Sequence, residues 1–271
     1  MKPRVSEDGT AASWQWYSRV AMVGSQRRAA RNAATVSLPA DVSAERWVEW
    51  TQSQLDAVNP ITWLSERWNF ERPLYREIMS VTPDGGRILE VGTGGGPNAL
   101  WLASRGYEVT GVEYRQPLVD IARGLARTVG VRAMFEVGDA FDLAKYRGYD
   151  TVFSVGMVEH WPYDDSVRAI REQGRTASVV VVNIPTIFTR YSSPVTDERF
   201  YSRGELKRML QDAGLNDVRV YGYGEVAGPV GRLSRSLWPD IPHRLVLQRH
   251  FGWPSASLVG VGSAAALRTG H

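Results

Sequence analysis

The chain has 271 residues, 43% of them hydrophobic, with a formal net charge of +3, which is enough apolar material for one large core. It contains no cysteine, so disulfides, thiolate-bound zinc, iron–sulfur clusters and any reaction needing a cysteine nucleophile are excluded, cysteine-dependent methylation of RNA cytosine among them. No apolar run reaches about 18 residues and the first residues lack an apolar secretory core, so no membrane span is expected and the location reads as cytoplasmic.

The charge is uneven along the chain. Residues 1–38 carry Lys2, Arg4, Arg19, Arg27, Arg28 and Arg31 against Glu7 and Asp8, which leaves the remainder close to neutral. Residues 1–40 therefore read as a basic, flexible, solvated arm, with contact to RNA through Trp14, Trp16 and Tyr17 as the alternative. A near-neutral body lacks the positive footprint of a phosphate-tracking protein, so a nucleic-acid partner is not expected.

Residues 41–84 form an expected helical cap, rich in aromatics at helical spacing: Trp47, Trp50, Trp63, Trp68, Phe70 and Tyr75, with breaks at Pro60 and Pro73. From residue 85 onward the pattern alternates. Strands are expected near 87–92, 107–113, 132–137, 149–155, 178–184 and 216–222, with helices near 97–105, 116–129, 164–174 and 203–213. Such alternation predicts a mostly parallel α/β sheet covered on both faces. Pro97 suits a first helical position, and Ser202-Arg203-Gly204-Glu205 has the form of a capping box. Residues 224–254, with Pro229, Pro239, Pro242 and Pro254, read as an irregular insertion, whose Trp238, His243 and Trp253 are candidates to line a pocket. The run from Ser257 to Gly262 reads as a last strand.

The chemistry concentrates where the first strand ends. Ile88-Leu89-Glu90-Val91 runs into Gly92-Thr93-Gly94-Gly95-Gly96, where glycines allow unusual backbone angles and close approach of a ligand. Glu113 ends the second strand, 17 residues after Gly96, where a carboxylate can accept hydrogen bonds from both hydroxyls of a ribose, each worth roughly 1.5–3 kcal/mol. The spacing is Gly-x-Gly-x-Gly and not the dinucleotide Gly-x-Gly-x-x-Gly. Glu90, two residues before the first glycine, suits a cationic amine better than a pyrophosphate. A third strand then ends in Val137-Gly138-Asp139-Ala140-Phe141.

This ordered set resembles the class I S-adenosylmethionine-dependent methyltransferases, over roughly residues 86–222. The resemblance implies a Rossmann-like, mostly parallel seven-stranded sheet whose last strand lies antiparallel beside the fifth. It also implies S-adenosylmethionine as cofactor. Glu90, Gly92, Thr93, Gly94 and Gly96 would hold its methionine end, Glu113 and Tyr114 its ribose, and Asp139, Ala140 and Ser154 would complete the nucleoside site. The stretch Phe153-Ser154-Val155-Gly156-Met157-Val158-Glu159-His160-Trp161 is similar to the Val-Leu-Glu-His segment of the small-molecule branch, the enzymes of ubiquinone and menaquinone biosynthesis. His160 would then lie near the transferred methyl as a candidate general base, with Glu159 second. Tyr114-Arg115 stands where many relatives carry Asp-x-Ser, so the subfamily is left open.

The Asn/Asp-Pro-Pro-Tyr/Phe motif of amino methyltransferases is absent. The acidic residues of the metal-dependent catechol type are replaced by Ser154 and Asn183-Ile184-Pro185, so no metal is implied. The expected partner is a small, apolar or aromatic acceptor methylated at oxygen, nitrogen or carbon, handled by a monomer or homodimer. The alternatives are an RNA or peptide methyltransferase using the basic arm, a nicotinamide dehydrogenase, and a non-catalytic relative of the same fold.

Overall fold

A computed structural model of the chain describes residues 40–189, 194–195, 197–224 and 255–264, with single positions at 32, 226, 231–232, 236 and 248. Most of the basic arm and of the 224–254 insertion, including Trp14, Trp16, Tyr17, Trp238, His243 and Trp253, lies outside the described residues. Among those described, no helix is long and apolar enough to cross a membrane.

Two helices come first, α1 (Ala40–Ala57) and α2 (Pro60–Val81). Asn59 caps α2 by accepting from the Thr62 amide at 2.9 Å, and Pro60 sits in its first turn. Pro73, expected to break the cap, lies inside α2 without ending it. The carbonyl it cannot serve belongs to Asn69, which is exposed and can be hydrated instead. Aromatic anchoring holds the turns on either side. Trp68 Nε1 donates to the Pro97 carbonyl at 2.7 Å, and Tyr75 stacks on Trp101 with ring centroids 4.3 Å apart.

The alternating part follows as β1 (Arg87–Val91), α3 (Pro97–Ala103), β2 (Glu108–Glu113), α4 (Gln116–Val129), β3 (Met134–Val137), β4 (Tyr149–Val155), α5 (Tyr163–Gly174), β5 (Ala177–Pro185), α6 (Arg203–Asp212), β6 (Asn216–Tyr223) and β7 (Ser257–Ser263). They form one seven-stranded sheet in the order β3-β2-β1-β4-β5-β7-β6. The strands are parallel except β7, which runs antiparallel between β5 and β6.

Strand periodicity sorts the core. Leu89, Val91, Val152, Val180, Val182 and Leu258 pack with α5 and α6 on one face. Ile88, Phe153, Val181, Val259 and Val261 alternate with them and pack with α2, α3 and α4 on the other. The capping box forms as its sequence implies: Glu205 N donates to Ser202 Oγ at 3.2 Å, and Ser202 N donates to Glu205 Oε2 at 2.6 Å.

One position of the basic arm is described. Asn32 is helical and is tied to the backbone of Phe200 by two hydrogen bonds of 2.7 Å, one in each direction. A side-chain amide matches a peptide group as donor and acceptor at once, which ties this position to Phe200.

The sheet order reverses between β1 and β4, and a crevice opens beyond the carboxyl ends of these strands.

Candidate functional site

The crevice holds a cavity of about 460 Å³, a size typical of small-ligand sites. Its floor is the turn after β1. Gly92 and Thr93 both donate to the Val112 carbonyl, at 2.8 and 3.1 Å, which locks the turn to β2. Gly94 has φ 54°, and a Cβ built there would meet nothing within 4 Å, so its backbone faces open space. Gly96 differs: an added Cβ would lie 2.7 Å from the Phe135 ring.

Glu113 reaches across this turn. Its Oε2 accepts from Gly94 N at 2.8 Å, and its Oε1 accepts from Tyr114 N at 2.7 Å and Arg115 N at 3.3 Å. Burial pushes its pKa up while these three amides pull it down. An ionised carboxylate has about four acceptor positions, so binding both hydroxyls of a ribose requires exchanging one amide bond. The Gly94 contact, inside the cavity, is the one placed to be exchanged.

Asp139 lines the wall beyond β3, with Oδ1 accepting from Phe141 N at 2.9 Å, and Ala140 and Phe141 continue the wall. Tyr114 also lines the cavity and is 52% exposed.

Three expected cofactor residues do not line the cavity. Glu90 is buried behind the turn, where Oε2 accepts from Thr93 Oγ1 (2.6 Å) and Ala99 N (3.1 Å) and Oε1 accepts from Asn98 Nδ2 (2.9 Å). It clamps the glycine turn to α3. Burial raises its pKa to about 7 against those hydrogen bonds. Gly96 serves the turn and the Phe135 contact. Ser154 is buried on the α5/α6 face of β4, and alternation brings its neighbour Val155 to the cavity instead.

The opposite end of the cavity gathers Glu159, His160, Asp197 and Glu198. His160 Nδ1 lies 2.7 Å from Asp197 Oδ1. Arg199 holds this segment by donating its backbone N–H to the Glu159 carbonyl (2.8 Å) and its guanidinium to the His160 carbonyl (3.1 Å). Burial lowers the His160 pKa, but the Asp197 bond and the charges of Glu159, Asp197 and Glu198 outweigh it and raise the value above 6.5. For Asp197, burial pushes upward and His160 outweighs it, leaving the carboxyl below its usual range. Glu159 is 1% exposed, and burial, with repulsion from Glu198 and Asp197, lifts its pKa to about 7. Glu159 Oε2 and His160 Nε2 are both buried without a hydrogen-bond partner. One donor atom each from Glu159, His160 and Glu198 lie within 4.8 Å of one another.

The cap closes the cavity over this site. Trp47, Trp50, Trp63 and Phe70 line it, whereas Trp68 and Tyr75 of the expected aromatic set dock α2 onto α3. Trp47 meets the His160 ring edge-on at 5.8 Å. The Arg67 guanidinium lies over Trp50 (4.9 Å) and Trp63 (5.4 Å), beside the glycine turn, and Trp63 Nε1 is buried without a partner. Sequence reasoning missed Arg67, Glu71, Asn98 and Asp197. Asp197 lies 37 residues from His160, and only the fold joins them.

A methyltransferase-domain family matches residues 88–178, from β1 into β5. With the sheet order and the glycine turn paired to Glu113, this defines a class I S-adenosylmethionine-dependent methyltransferase domain, with S-adenosylmethionine as its cofactor. Among curated relatives, the ubiquinone biosynthesis O-methyltransferase of Xanthomonas axonopodis pv. citri is 31% identical over 123 residues, covering 44% of this chain and 47% of the relative. The 23S rRNA (uracil(747)-C(5))-methyltransferase of Pyrococcus abyssi is 30% identical over 95 residues, covering 35% of this chain and 23% of the relative. The chain thus spans less than half the length of the curated relatives it matches. The magnesium protoporphyrin IX methyltransferase of Synechocystis PCC 6803, solved with S-adenosylhomocysteine bound, shares the fold with a TM-score of 0.51 and 15% identity, covering 74% of this chain and 83% of that one.

Proposed function

We propose that the chain transfers a methyl group from S-adenosylmethionine to a small molecule with an aromatic or apolar body. The observation that carries this reading is the cavity itself. One continuous wall joins the glycine turn, Glu113 and Asp139 to the Glu159–His160 end, under a roof of Trp47, Trp50 and Phe70. A roof of aromatic rings suits a small acceptor with a flat or greasy body and keeps water from the reacting groups.

The residues fit the cofactor. The open backbone at Gly94 and the Glu113 carboxylate would take the ribose side, and Asp139 with Ala140 and Phe141 the adenine side. Trp63 Nε1, a buried donor without a partner, and Arg67 would take the methionine carboxylate. When bound, S-adenosylmethionine supplies a methyl already activated by a sulfonium, so the protein chiefly supplies positioning, a contribution that can reach about 7–11 kcal/mol in well-oriented systems. His160, oriented by Asp197, and Glu159 are placed to take a proton from the acceptor. The raised pKa of His160 moves the range in which its unprotonated imidazole can accept a proton toward higher pH.

Calorimetric titration with S-adenosylmethionine and S-adenosylhomocysteine tests the reading. Micromolar binding is expected, weakened at least ~10-fold, or ~1.4 kcal/mol, by Asp139→Ala. Absence of binding to the intact chain would overturn it.

A further inference from the structure

On the cap side of the cavity, three side chains with polar heads stand on one face of α2. Trp63, Arg67 and Glu71 follow one another at four-residue spacing, which puts successive Cβ atoms roughly 5–6 Å apart, and all three line the cavity. Trp63 is 4% exposed, and its Nε1 is buried with no acceptor among the described residues. The Arg67 guanidinium lies over the Trp63 ring, and its charge acts on the Glu71 carboxyl. Glu71 is 9% exposed. Its Oε2 accepts from the Tyr223 hydroxyl, while Asn183 Nδ2 donates to the Tyr223 oxygen at 3.1 Å and to the Leu258 carbonyl at 3.2 Å. The Asn183 donation leaves the Tyr223 proton directed at Glu71, so β5, β6 and β7 together hold this carboxyl in place. Tyr223 fills one of the about four acceptor positions of an ionised carboxylate. A carboxylate buried this far is unfavourable unless a cation reaches it, and burial accordingly lifts the Glu71 pKa to about 7.

These groups match the two charged ends of an α-amino acid. S-adenosylmethionine terminates in one, since its methionine moiety carries a carboxylate and an ammonium on the same carbon. We propose that α2 reads this zwitterion, with Trp63 Nε1 and Arg67 on the carboxylate and Glu71 as the counter-charge of the ammonium. The inference rests on the methyltransferase reading. It moves the amine partner from the glycine turn, where the sequence spacing offers Glu90, to the cap. Glu90 already accepts from Thr93, Asn98 and Ala99 behind that turn, whereas Glu71 stands on the cavity wall. An ammonium beside Glu71 supplies a charge-assisted hydrogen bond and favours the ionised form that burial disfavours. Because both reading groups ride on one helix, the cap senses whether the amino acid of the cofactor is intact. Glu71 and Trp63 are thus specificity-determining residues for the cofactor, supplied from outside the alternating sheet.

Calorimetry on the full chain tests this with S-adenosylhomocysteine and two of its analogues, one lacking the α-amine and one lacking the α-carboxylate. The wild type is expected to bind S-adenosylhomocysteine at least ~10-fold tighter than either analogue. Glu71→Gln keeps the size of the side chain and an acceptor for Tyr223. It should weaken S-adenosylhomocysteine at least ~10-fold and leave the deaminated analogue unchanged. Trp63→Phe should weaken S-adenosylhomocysteine and the deaminated analogue, and leave the decarboxylated one unchanged. Each variant is read as a ratio between ligands, so a general loosening of the fold, which lowers all three affinities together, does not imitate this pattern. The wild-type comparison needs no substitution and stands whether or not a variant folds. A Glu71→Gln effect that is equal for S-adenosylhomocysteine and the deaminated analogue, or a wild type that binds these two alike, overturns the inference and leaves the cofactor reading standing. Failure of the wild type to bind S-adenosylhomocysteine overturns both.

Discussion

His160 shows how one residue takes its chemistry from neighbours far away in the chain. An isolated buried imidazole loses its proton easily, because burial disfavours the charged form. Here Asp197 bonds Nδ1 at 2.7 Å and Glu159 and Glu198 add negative charge, so the shift is upward. Asp197→Asn keeps the size and a hydrogen-bonding atom at that position but removes the charge. Its expected effect is a fall of the His160 pKa, because a nearby opposite charge that favours the protonated form is removed. The chain has only four histidines, so NMR titration of labelled imidazole carbons, assigned with His160→Gln, reads this directly. The unprotonated fraction at neutral pH should therefore rise in Asp197→Asn. An unchanged titration would mean that Asp197 only positions the ring and does not tune it.

The glycine turn is the element on which the cofactor end depends, and its parts are not equivalent. Gly94 faces the cavity, whereas Gly96, with φ 78°, begins α3 against the ring of Phe135 and lies 3.0 Å, measured from an added Cβ, from Ala122. Gly96→Ala would force both a strained backbone and a displaced ring, at a cost of about 2–4 kcal/mol. Thermal or denaturant unfolding should show that loss, and S-adenosylhomocysteine affinity should fall with it, because the α3 start and the turn move as one piece. Unchanged stability would show that Phe135 yields freely. The turn and the capping box at Ser202 were legible in the sequence because each is a local pattern within a few residues, whereas Glu113, 19 residues from the Gly94 amide it accepts from, was legible only through the spacing of two successive strands. Glu90 was legible as a site residue but not as a clamp, since Thr93, Asn98 and Ala99 surround its carboxylate only after α3 folds back. Pro73 read as a break because the sequence does not reveal that Asn69 faces solvent. Arg67 carried no local signal, and Asp197 stood only within a segment, from Asn183 to Ser202, that resembles the small-molecule branch; a helix crossing in one case and a loop return in the other bring them to the cavity. Ser154 lies on the other face of β4 from Val155, which lines the cavity, because one step along a strand changes its face.

Among the described residues, three buried carboxyls are lifted far upward, and Glu113 is raised in the same direction. Glu71, beneath the cap, Glu90, behind the turn, and Glu159, at the acceptor end, are each lifted by burial from 4.5 to about 7. Hydrogen bonds from Tyr223 to Glu71 and from Thr93 and Asn98 to Glu90 oppose the shift without cancelling it. In the unfolded chain these groups give up their protons near pH 4.5, whereas in the folded chain they keep them to about pH 7. The folded state therefore binds more protons between those limits, and stability must fall as pH rises through that window. His160, also raised, acts in the same direction. Asp197, held low, acts oppositely, but only in acid below its usual range. Each shift of this size corresponds to at most ~3 kcal/mol, so the three together are large beside the 5–15 kcal/mol stability of an ordinary domain. Thermal unfolding of the full chain should thus give a higher midpoint at pH 5 than at pH 8. The double variant Glu71→Gln, Glu159→Gln should flatten that slope, because an amide stays neutral at both. A midpoint that rises from pH 5 to pH 8 would show that these carboxyls stay ionised in the fold, held by partners stronger than those seen around them.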